Sequence, residues 1–539
     1  MTQILAPVML AALLGAATQD PTSKADACGR LAALALPQAK VTFAGAVPAG
    51  EFSPPPAVTP WLRGDPALYK ALPRFCRVAV EATPSADSSI QIEVWLPVEG
   101  WNGRFRGQGN GGFAGEINFA ALAGAVGQGY ATAATDTGHK AGGTDASWAL
   151  GHPEKVTDFG YRAIHLMTET GKAATRAFYG RGAQHSYFTS CSNGGRQALM
   201  EVQRFPEDYD GVIAGAPANN WTHLLTKALA DAQATTLDPA SYIPPTKLPA
   251  IARAVNGACD AQDGVRDGVI GDPPGCHFDP AALSCKDGDS DACLTAPQVA
   301  ALRALYAGPR DSHRRLIFPG YLPGAEEGEG GWGPWITGAA PGKSLLFAFG
   351  VGYFSNMVYE KRDWDYRSAN VEQALAAAEE KTARSMNATD ANLSPFAARG
   401  GKLVVYHGWN DPAISALSAI DYYDSVLGRM GRQETEAFLR LYLVPGMQHC
   451  FGGAGPSSFG QNGEGPRDDP RRNVMLAVER WVEAGTAPDA LVAAKRASDD
   501  PASAVQASRP ICPHPQVVKY KGQGDPNDAA SFTCASANP

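Results

Sequence analysis

Residues 187–196 read Tyr187-Phe188-Thr189-Ser190-Cys191-Ser192-Asn193-Gly194-Gly195-Arg196. β-forming aromatics run into small residues and then into a helical pattern over 194–204. A strand over 186–190 is therefore expected to turn sharply into a helix at Ser192. Such a turn exposes the serine hydroxyl, and the small neighbours leave room around it. The following helix points its free N–H groups toward the same place, where they would stabilise developing negative charge. Taken alone, the segment also reads as a Gly-rich turn with a capping serine. Ser190 stands where the elbow pattern Gly-x-Ser-x-Gly has its first glycine.

Outward from this turn, the pattern alternates between strand and helix. Runs at 75–82 and 89–96 suit paired strands around the turn Thr83-Pro84-Ser85-Ala86-Asp87. A strand over 104–107 leads into Gly109-Asn110-Gly111-Gly112-Phe113, and one over 129–134 ends at Thr135-Asp136-Thr137-Gly138-His139. A helix is expected over 159–178. The rhythm resumes with strands over 402–407 and 438–444, and a helix over 474–484 carries Met475, Val478 and Val482 at helical spacing. This alternation predicts an α/β fold with a mainly parallel sheet and helices on both faces. Between these parts, 221–397 breaks the rhythm with an Asp/Gly/Cys-rich stretch at 259–293. It also carries a cluster of aromatics: Trp332, Trp335, Phe347, Phe349, Tyr353 and Phe354. It reads as an inserted lid domain, with 18–220 and 398–539 forming the catalytic domain. The tail, 499–539, reads as loop.

Two motifs after the late strands give the serine its partners. Gly408-Trp409-Asn410-Asp411-Pro412 follows one, and Gly446-Met447-Gln448-His449-Cys450 follows the next. The chain order Ser192, Asp411, His449 is the α/β-hydrolase order. Asp411 would fix the imidazole tautomer, and His449 would take the proton of Ser192. His407 lies inside its predicted strand and reads as structural. Asp136, at a strand end, would line the site or stabilise a loop. An oxyanion hole needs two converging N–H groups, expected from Asn193 and from Gly111 or Gly112.

Composition bounds the rest. At 539 residues, with 44% hydrophobic and 19% charged, the chain is an ordinary globular protein too long for one simple core. A net charge of −8 leaves no basic footprint for nucleic acid or an anionic membrane. An apolar run from Ile4 to Leu14, followed by Gly15, Ala16 and Ala17, reads as a signal peptide over 1–17. Its n-region lacks Lys and Arg, and the alternative is a buried helix. The ten cysteines are an even set, as disulfides in an oxidising compartment favour. Zinc is the rival, but no Cys-x-x-Cys occurs, and the spacings 259/276, 285/293 and 512/534 look like local staples. A secreted or periplasmic protein is expected.

The pairs Cys191-Ser192 and His449-Cys450, with Asp411 between them, resemble the signature of the tannase and feruloyl esterase family, which also holds a mono(2-hydroxyethyl) terephthalate hydrolase. The resemblance runs from about Cys28 onward and includes 109–112 and 135–139. It implies an α/β-hydrolase core, a lid with a calcium site and aryl carboxylic ester substrates. It also implies a Cys191–Cys450 disulfide. A disulfide holds its Cα atoms about 5.5 Å apart, which would confine Ser192 and His449 to hydrogen-bonding reach. A free or nucleophilic Cys191 is the alternative. With the spacings, the resemblance suggests Cys28–Cys76, Cys259–Cys276, Cys285–Cys293 and Cys512–Cys534 as well.

In Cys259-Asp260-Ala261-Gln262-Asp263-Gly264-Val265-Arg266-Asp267-Gly268-Val269-Ile270, three carboxylates fall within eight residues, and hard oxygen donors suit calcium. The resemblance assigns side chains of Asp260, Asp263 and Asp267 and carbonyls of Val265 and Val269 to a structural Ca2+. The alternative is a solvated acidic loop. The expected substrate is a small aromatic ester of plant cell-wall or polyphenol origin. Feruloyl esters come first, gallate esters second and terephthalate monoesters third. A non-catalytic calcium-dependent binding module is the reading from another class. A serine peptidase or transacylase also fits the triad chemistry.

Overall fold

Six short segments with side chains buried on both faces set the centre of the molecule, as parallel strands require. The computed structural model describes residues 27–62, 64–463, 465–498 and 503–536; the expected signal segment lies outside them. Nine strands form one sheet: β1 (Ala39–Val47), β2 (Phe75–Ala82), β3 (Ile90–Pro97), β4 (Arg104–Gln108), β5 (Ala131–Thr135), β6 (His185–Cys191), β7 (Gly211–Gly215), β8 (Lys402–Gly408) and β9 (Leu439–Val444). Their spatial order is β1-β2-β3-β5-β4-β6-β7-β8-β9. The pairings among β1, β2, β3 and β5 are antiparallel. Every pairing from β5 through β4, β6, β7 and β8 to β9 is parallel.

Period-two alternation sorts the strand residues onto two faces. Phe188, Val212, Val405 and Leu441 pack in one cluster with residues of the helices Ala163–Tyr179 and Leu417–Met430. Tyr187, Ile213, Val404, Tyr406 and Tyr442 pack in another with the helix Val474–Ala484. This is the expected α/β-hydrolase arrangement, with helices on both sides of the sheet.

Two strands of this sheet were not expected. β7 is Gly-Val-Ile-Ala-Gly, too short and glycine-flanked to read as a strand. Its glycines are imposed by neighbours: a Cβ on Gly211 would lie 2.7 Å from the Tyr187 ring and one on Gly215 2.2 Å from the Tyr406 ring. β1 is a half-exposed edge strand with a register shift between Val41 and Phe43, so it shows no clean alternation. The tail corrects the sequence reading. It is not loop but carries β11 (Val505–Ile511), paired with β10 (Leu491–Arg496), and the hairpin of β12 (Gln516–Tyr520) and β13 (Phe532–Ser536). Leu491, Ala493 and Ile511 are buried in the cluster containing Tyr442, so tertiary packing creates order where local pattern gives little.

The chain leaves the sheet after β7 and returns at β8, and the stretch expected as the lid falls in this insertion. The helices Trp221–Thr236, Leu345–Tyr353 and Val371–Met386 contribute to one core around Trp221, Tyr353 and Phe354. Leu248–Cys259 and Ala296–Ala307 contribute to another around Ile251, Leu302 and Trp332. All five disulfides pair as the resemblance implies: Cys28–Cys76, Cys191–Cys450, Cys259–Cys276, Cys285–Cys293 and Cys512–Cys534. No described helix is long and apolar enough to cross a membrane.

Candidate active site

β6 ends at Cys191, and the helix Asn193–Arg204 begins two residues later. Ser192, between them, has φ 67° and ψ −126°, a region that strains any residue with a side chain. The structure holds it there from several sides. Its N–H donates to the Gly215 carbonyl at 2.9 Å, and its carbonyl accepts from Arg196 and Ala218. The two following glycines are obligatory. A Cβ on Gly194 would stand 1.8 Å from Ser190 Oγ, and one on Gly195 2.2 Å from the Gly215 carbonyl oxygen. Ser190 can replace the usual glycine because its neighbours Gly109 and Gly194 have no side chains.

The Ser192 hydroxyl lies 2.9 Å from His449 Nε2, and His449 Nδ1 lies 2.7 Å from Asp411 Oδ2. The expected serine, histidine and aspartate thus meet in one hydrogen-bonded chain. In such a chain the imidazole can take the hydroxyl proton while the carboxylate fixes its tautomer. Asp411 Oδ1 accepts from the N–H groups of Ala413 and Ile414. Burial pushes the Asp411 carboxyl up, but His449 and His407 pull it further the other way, and it ends well below the usual carboxylate range. The Cys191–Cys450 disulfide brackets the pair, its Cα atoms 6.0 Å apart.

Asn193, Gly111 and Gly112 line the same cleft as Ser192. The loop carrying these glycines is fixed by groups the sequence left without a role. Asn110 donates from its N–H to Gln197 Oε1 at 2.9 Å and from Nδ2 to the Thr135 carbonyl at 2.7 Å. His139 Nε2 donates to the Phe113 carbonyl at 2.8 Å, and its ring stacks on Trp148. Burial lowers the His139 pKa to about 4, so it stays neutral at pH 7. Asp136 is a loop stabiliser: Oδ1 accepts from Gln91 and Gly138, and burial raises its pKa to about 7. Arg196 is fully buried between Phe159 and Trp221 and donates to the carbonyls of Gly160, Phe159 and Met386, tying the elbow helix to the insertion. Burial, and then the charge of Arg204, lowers its pKa to about 9.

The cleft has a volume of about 940 Å³. Its lining includes the apolar side chains of Trp221, Leu224, Leu225, Trp335, Phe349 and Ile414. Trp335 packs edge-on against His449 with centroids 4.8 Å apart. Of the lid aromatics noted in the sequence, Trp332, Tyr353 and Phe354 are core, while Trp335 and Phe349 reach the cleft. Sequence reasoning missed Arg106, Gln108 and Gln128, which line the same cleft, because neither a strand residue nor a helix cap carries a mark of facing it.

The acidic loop does not bring its carboxylates to one point. Among the described residues, the groups of potential metal-ligating side chains that do converge are Cys285, Asp289 and Cys293, whose sulfurs are in a disulfide, and His165, Glu201 and Asp208. In the loop, Asp260 Oδ1 accepts from the N–H groups of Asp267 and Gly268, Asp263 Oδ1 from Val265 and Asp267 Oδ1 from Val269. Asp267 Oδ2 pairs with Arg509 at 2.6 Å. These uses hold the acids apart. The donor chemistry still suits a divalent cation: all donors are oxygens, and burial, then the charge of Asp267, raises the Asp263 pKa to about 6.

Comparison with known proteins agrees with this geometry. The family described as tannase and feruloyl esterase matches residues 76–535. An uncharacterized esterase of Xanthomonas campestris pv. campestris is 42% identical over 96% of this chain and 92% of its own. A probable feruloyl esterase B of Aspergillus clavatus is 35% identical over 85% of this chain and 86% of its own. Among solved structures, feruloyl esterase B from Aspergillus oryzae superposes with a TM-score of 0.85 at 32% identity, covering 95% of this chain and all of that one. Tannin acyl hydrolase from Aspergillus niger shares the fold, with a TM-score of 0.73 at 24% identity over 96% of this chain and 95% of that one.

Proposed function

Because this chain belongs to the tannase and feruloyl esterase family and is a carboxylic ester hydrolase of that family, we propose that it cleaves aryl carboxylic esters through an acyl-enzyme on Ser192, with feruloyl esters as first substrates. The observation that carries the reading is the Ser192–His449–Asp411 hydrogen-bonded chain opening onto an apolar wall that includes Trp221, Trp335 and Phe349. Ser192 Oγ attacks the ester carbonyl as His449 Nε2 takes its proton, and Asp411 stabilises the imidazolium. The N–H of Asn193 and those of Gly111 and Gly112 receive the oxyanion. His449 returns the proton to the departing alcohol, and water repeats the sequence to release the acid. The insertion acts as the lid, and its aromatics receive the aryl ring.

Calcium, when bound, would supply structural cross-linking and no chemistry on the ester. Asp260, Asp263 and Asp267 would give carboxylates and Val265 and Val269 carbonyls. Five disulfides support an oxidising destination, secreted or periplasmic. A fluorophosphonate probe should label the protein and fail on Ser192→Ala. On a panel of methyl ferulate, methyl gallate, an alkyl ester and a peptide, the ferulate should be cleaved fastest. Labelling that survives in Ser192→Ala, or cleavage of the peptide alone, overturns the reading.

A further inference from the structure

Near the end of the elbow helix Asn193–Arg204 lies a buried carboxylate that no donor satisfies. Glu201 is 1% exposed, and among the described residues neither of its carboxylate oxygens has a hydrogen-bond partner. It faces two groups of metal-binding type. His165 comes from the helix Ala163–Tyr179, and Asp208 from the turn between the elbow helix and β7. One ligand atom from each of the three lies within 4.8 Å of the others. A buried polar group without a partner is costly. Two carboxylates this close also repel unless a proton or a cation lies between them.

The cation already present does not fill that role. Lys172 Nζ donates to the Asp208 backbone carbonyl and lies 3.8 Å from Asp208 Oδ1. Its charge also acts on Glu201, but it gives Glu201 no hydrogen bond. One ammonium against Glu201, Asp208 and nearby Glu169 leaves the group net negative. His165 is held ready beside them. Its ring stacks on Phe205 with centroids 3.8 Å apart and planes 7° from parallel, and its Nδ1 lies 2.7 Å from Asp208 Oδ2. The imidazole is partly exposed, so the group is open to solvent on that side.

One imidazole and two carboxylates, drawn from three separate segments, are a ligand set for zinc with water as the fourth ligand. We propose that His165, Glu201 and Asp208 form a divalent-metal site that takes Zn2+. The ion replaces the proton between His165 and Asp208, and that proton is released to solvent. Ligands about 2 Å from a tetrahedral zinc ion stand about 3.4 Å apart, so the side chains close by roughly 1.5 Å or less to bind it. The role is structural, because none of the three residues lines the cleft, and Glu201 is about 13 Å along the helix from Ser192 at 1.5 Å per residue. The ion ties the elbow helix to the helix beside it and to the turn that leads into β7, whose Gly215 carbonyl accepts from the Ser192 N–H.

The full chain, stripped of metal with a chelator and dialysed, provides the test. Excess Ca2+ is kept present so that the oxygen-donor loop at 260–269 does not compete for Zn2+. Equilibrium dialysis should then find about one tightly bound Zn2+ per chain, and Zn2+ should raise the melting temperature. Glu201→Gln and, separately, His165→Asn should each weaken the binding by at least about tenfold and remove the rise in melting temperature. Glu201→Gln keeps the shape of the buried side chain, whereas His165→Asn changes a partly exposed one, so each remains informative if the other does not fold. Asp263→Asn should bind Zn2+ as the wild type does. No tight Zn2+ in the wild type, or binding that persists in either folded ligand variant, overturns the site. A wild type indifferent to Zn2+ and a Glu201→Gln variant of equal stability would assign a shared proton, not a metal, to the two carboxylates.

Discussion

Asp411 serves two imidazoles. Its Oδ2 lies 2.7 Å from His449 Nδ1 and 3.2 Å from His407 Nε2, and His407 Nε2 also lies 3.0 Å from the Ile414 carbonyl. His407 does not itself line the cleft and has no hydrogen bond to Ser192, so it acts through Asp411 as a positioning residue. A hydrogen bond to a charged group is worth about 1.5–3 kcal/mol, or about 10- to 100-fold in rate. His407→Leu should therefore lower kcat by about that factor and leave KM within about twofold. His407→Gln, which keeps a donor near the Nε2 position, should restore most of the loss. Steady-state kinetics on one aryl ester checks this; equal damage in both variants would mark His407 as packing alone. At the residue scale the three members of the Ser192–His449–Asp411 hydrogen-bonded chain were legible because each sits at a strand end beside a cysteine or a glycine turn. The sequence places His407 in a strand but gives no hint that Asp411, four residues on, folds back onto its ring.

At the level of elements, the elbow and the His449 loop are separate structures, each with a strained backbone at the junction. Ser192 has φ 67° and Cys450 φ 68°, both in the left-handed region. The Cys191–Cys450 disulfide joins the two across 259 residues of chain and keeps their Cα atoms 6.0 Å apart. Its effect is on the relative placement of Ser192 and His449, while most of the cleft wall belongs to other segments. Cys191→Ala/Cys450→Ala should thus reduce kcat by at least about tenfold, since displacement of about 1 Å at reacting groups costs on the order of 100-fold. KM should change by less than about threefold. Unchanged turnover in a folded double variant would remove the positioning argument. Elements with strong local pattern were legible: β2 and the helix Val474–Ala484 have the expected limits, β8 and β9 differ by a residue at one end, and β6 is a residue longer at each end. β7 was not, because its residues are chosen by the Tyr187 and Tyr406 rings beside it rather than by strand propensity.

Across the whole molecule, the parts hardest to read in sequence are those whose order depends on distant partners. The tail is the clearest case. β11 packs Ile511 against the sheet through the cluster of Tyr442 and Trp481, and the same strand sends Arg509 to Asp267 in the insertion. Arg509 is 4% exposed, and its guanidinium also lies over the Phe532 ring at 4.1 Å. One side chain thus links the tail, the acidic loop and, through its own strand, the catalytic core. Removing one partner of a buried pair strands the other charge, at a cost of about 3–5 kcal/mol; partial exposure of Asp267 places the expected loss for Arg509→Gln at the low end of that range. The loop would also carry one more uncompensated negative charge near Asp263, whose pKa is already raised to about 6. If Asp260, Asp263 and Asp267 hold Ca2+, the ion and Arg509 draw on the same carboxylate. Added Ca2+ should then raise the melting temperature of Arg509→Gln more than that of the wild type, and a chelator should lower both. Thermal melts with and without Ca2+ decide it: a variant that is destabilised but indifferent to calcium and chelator leaves Arg509 as the counter-charge of Asp267 and removes the metal from the account.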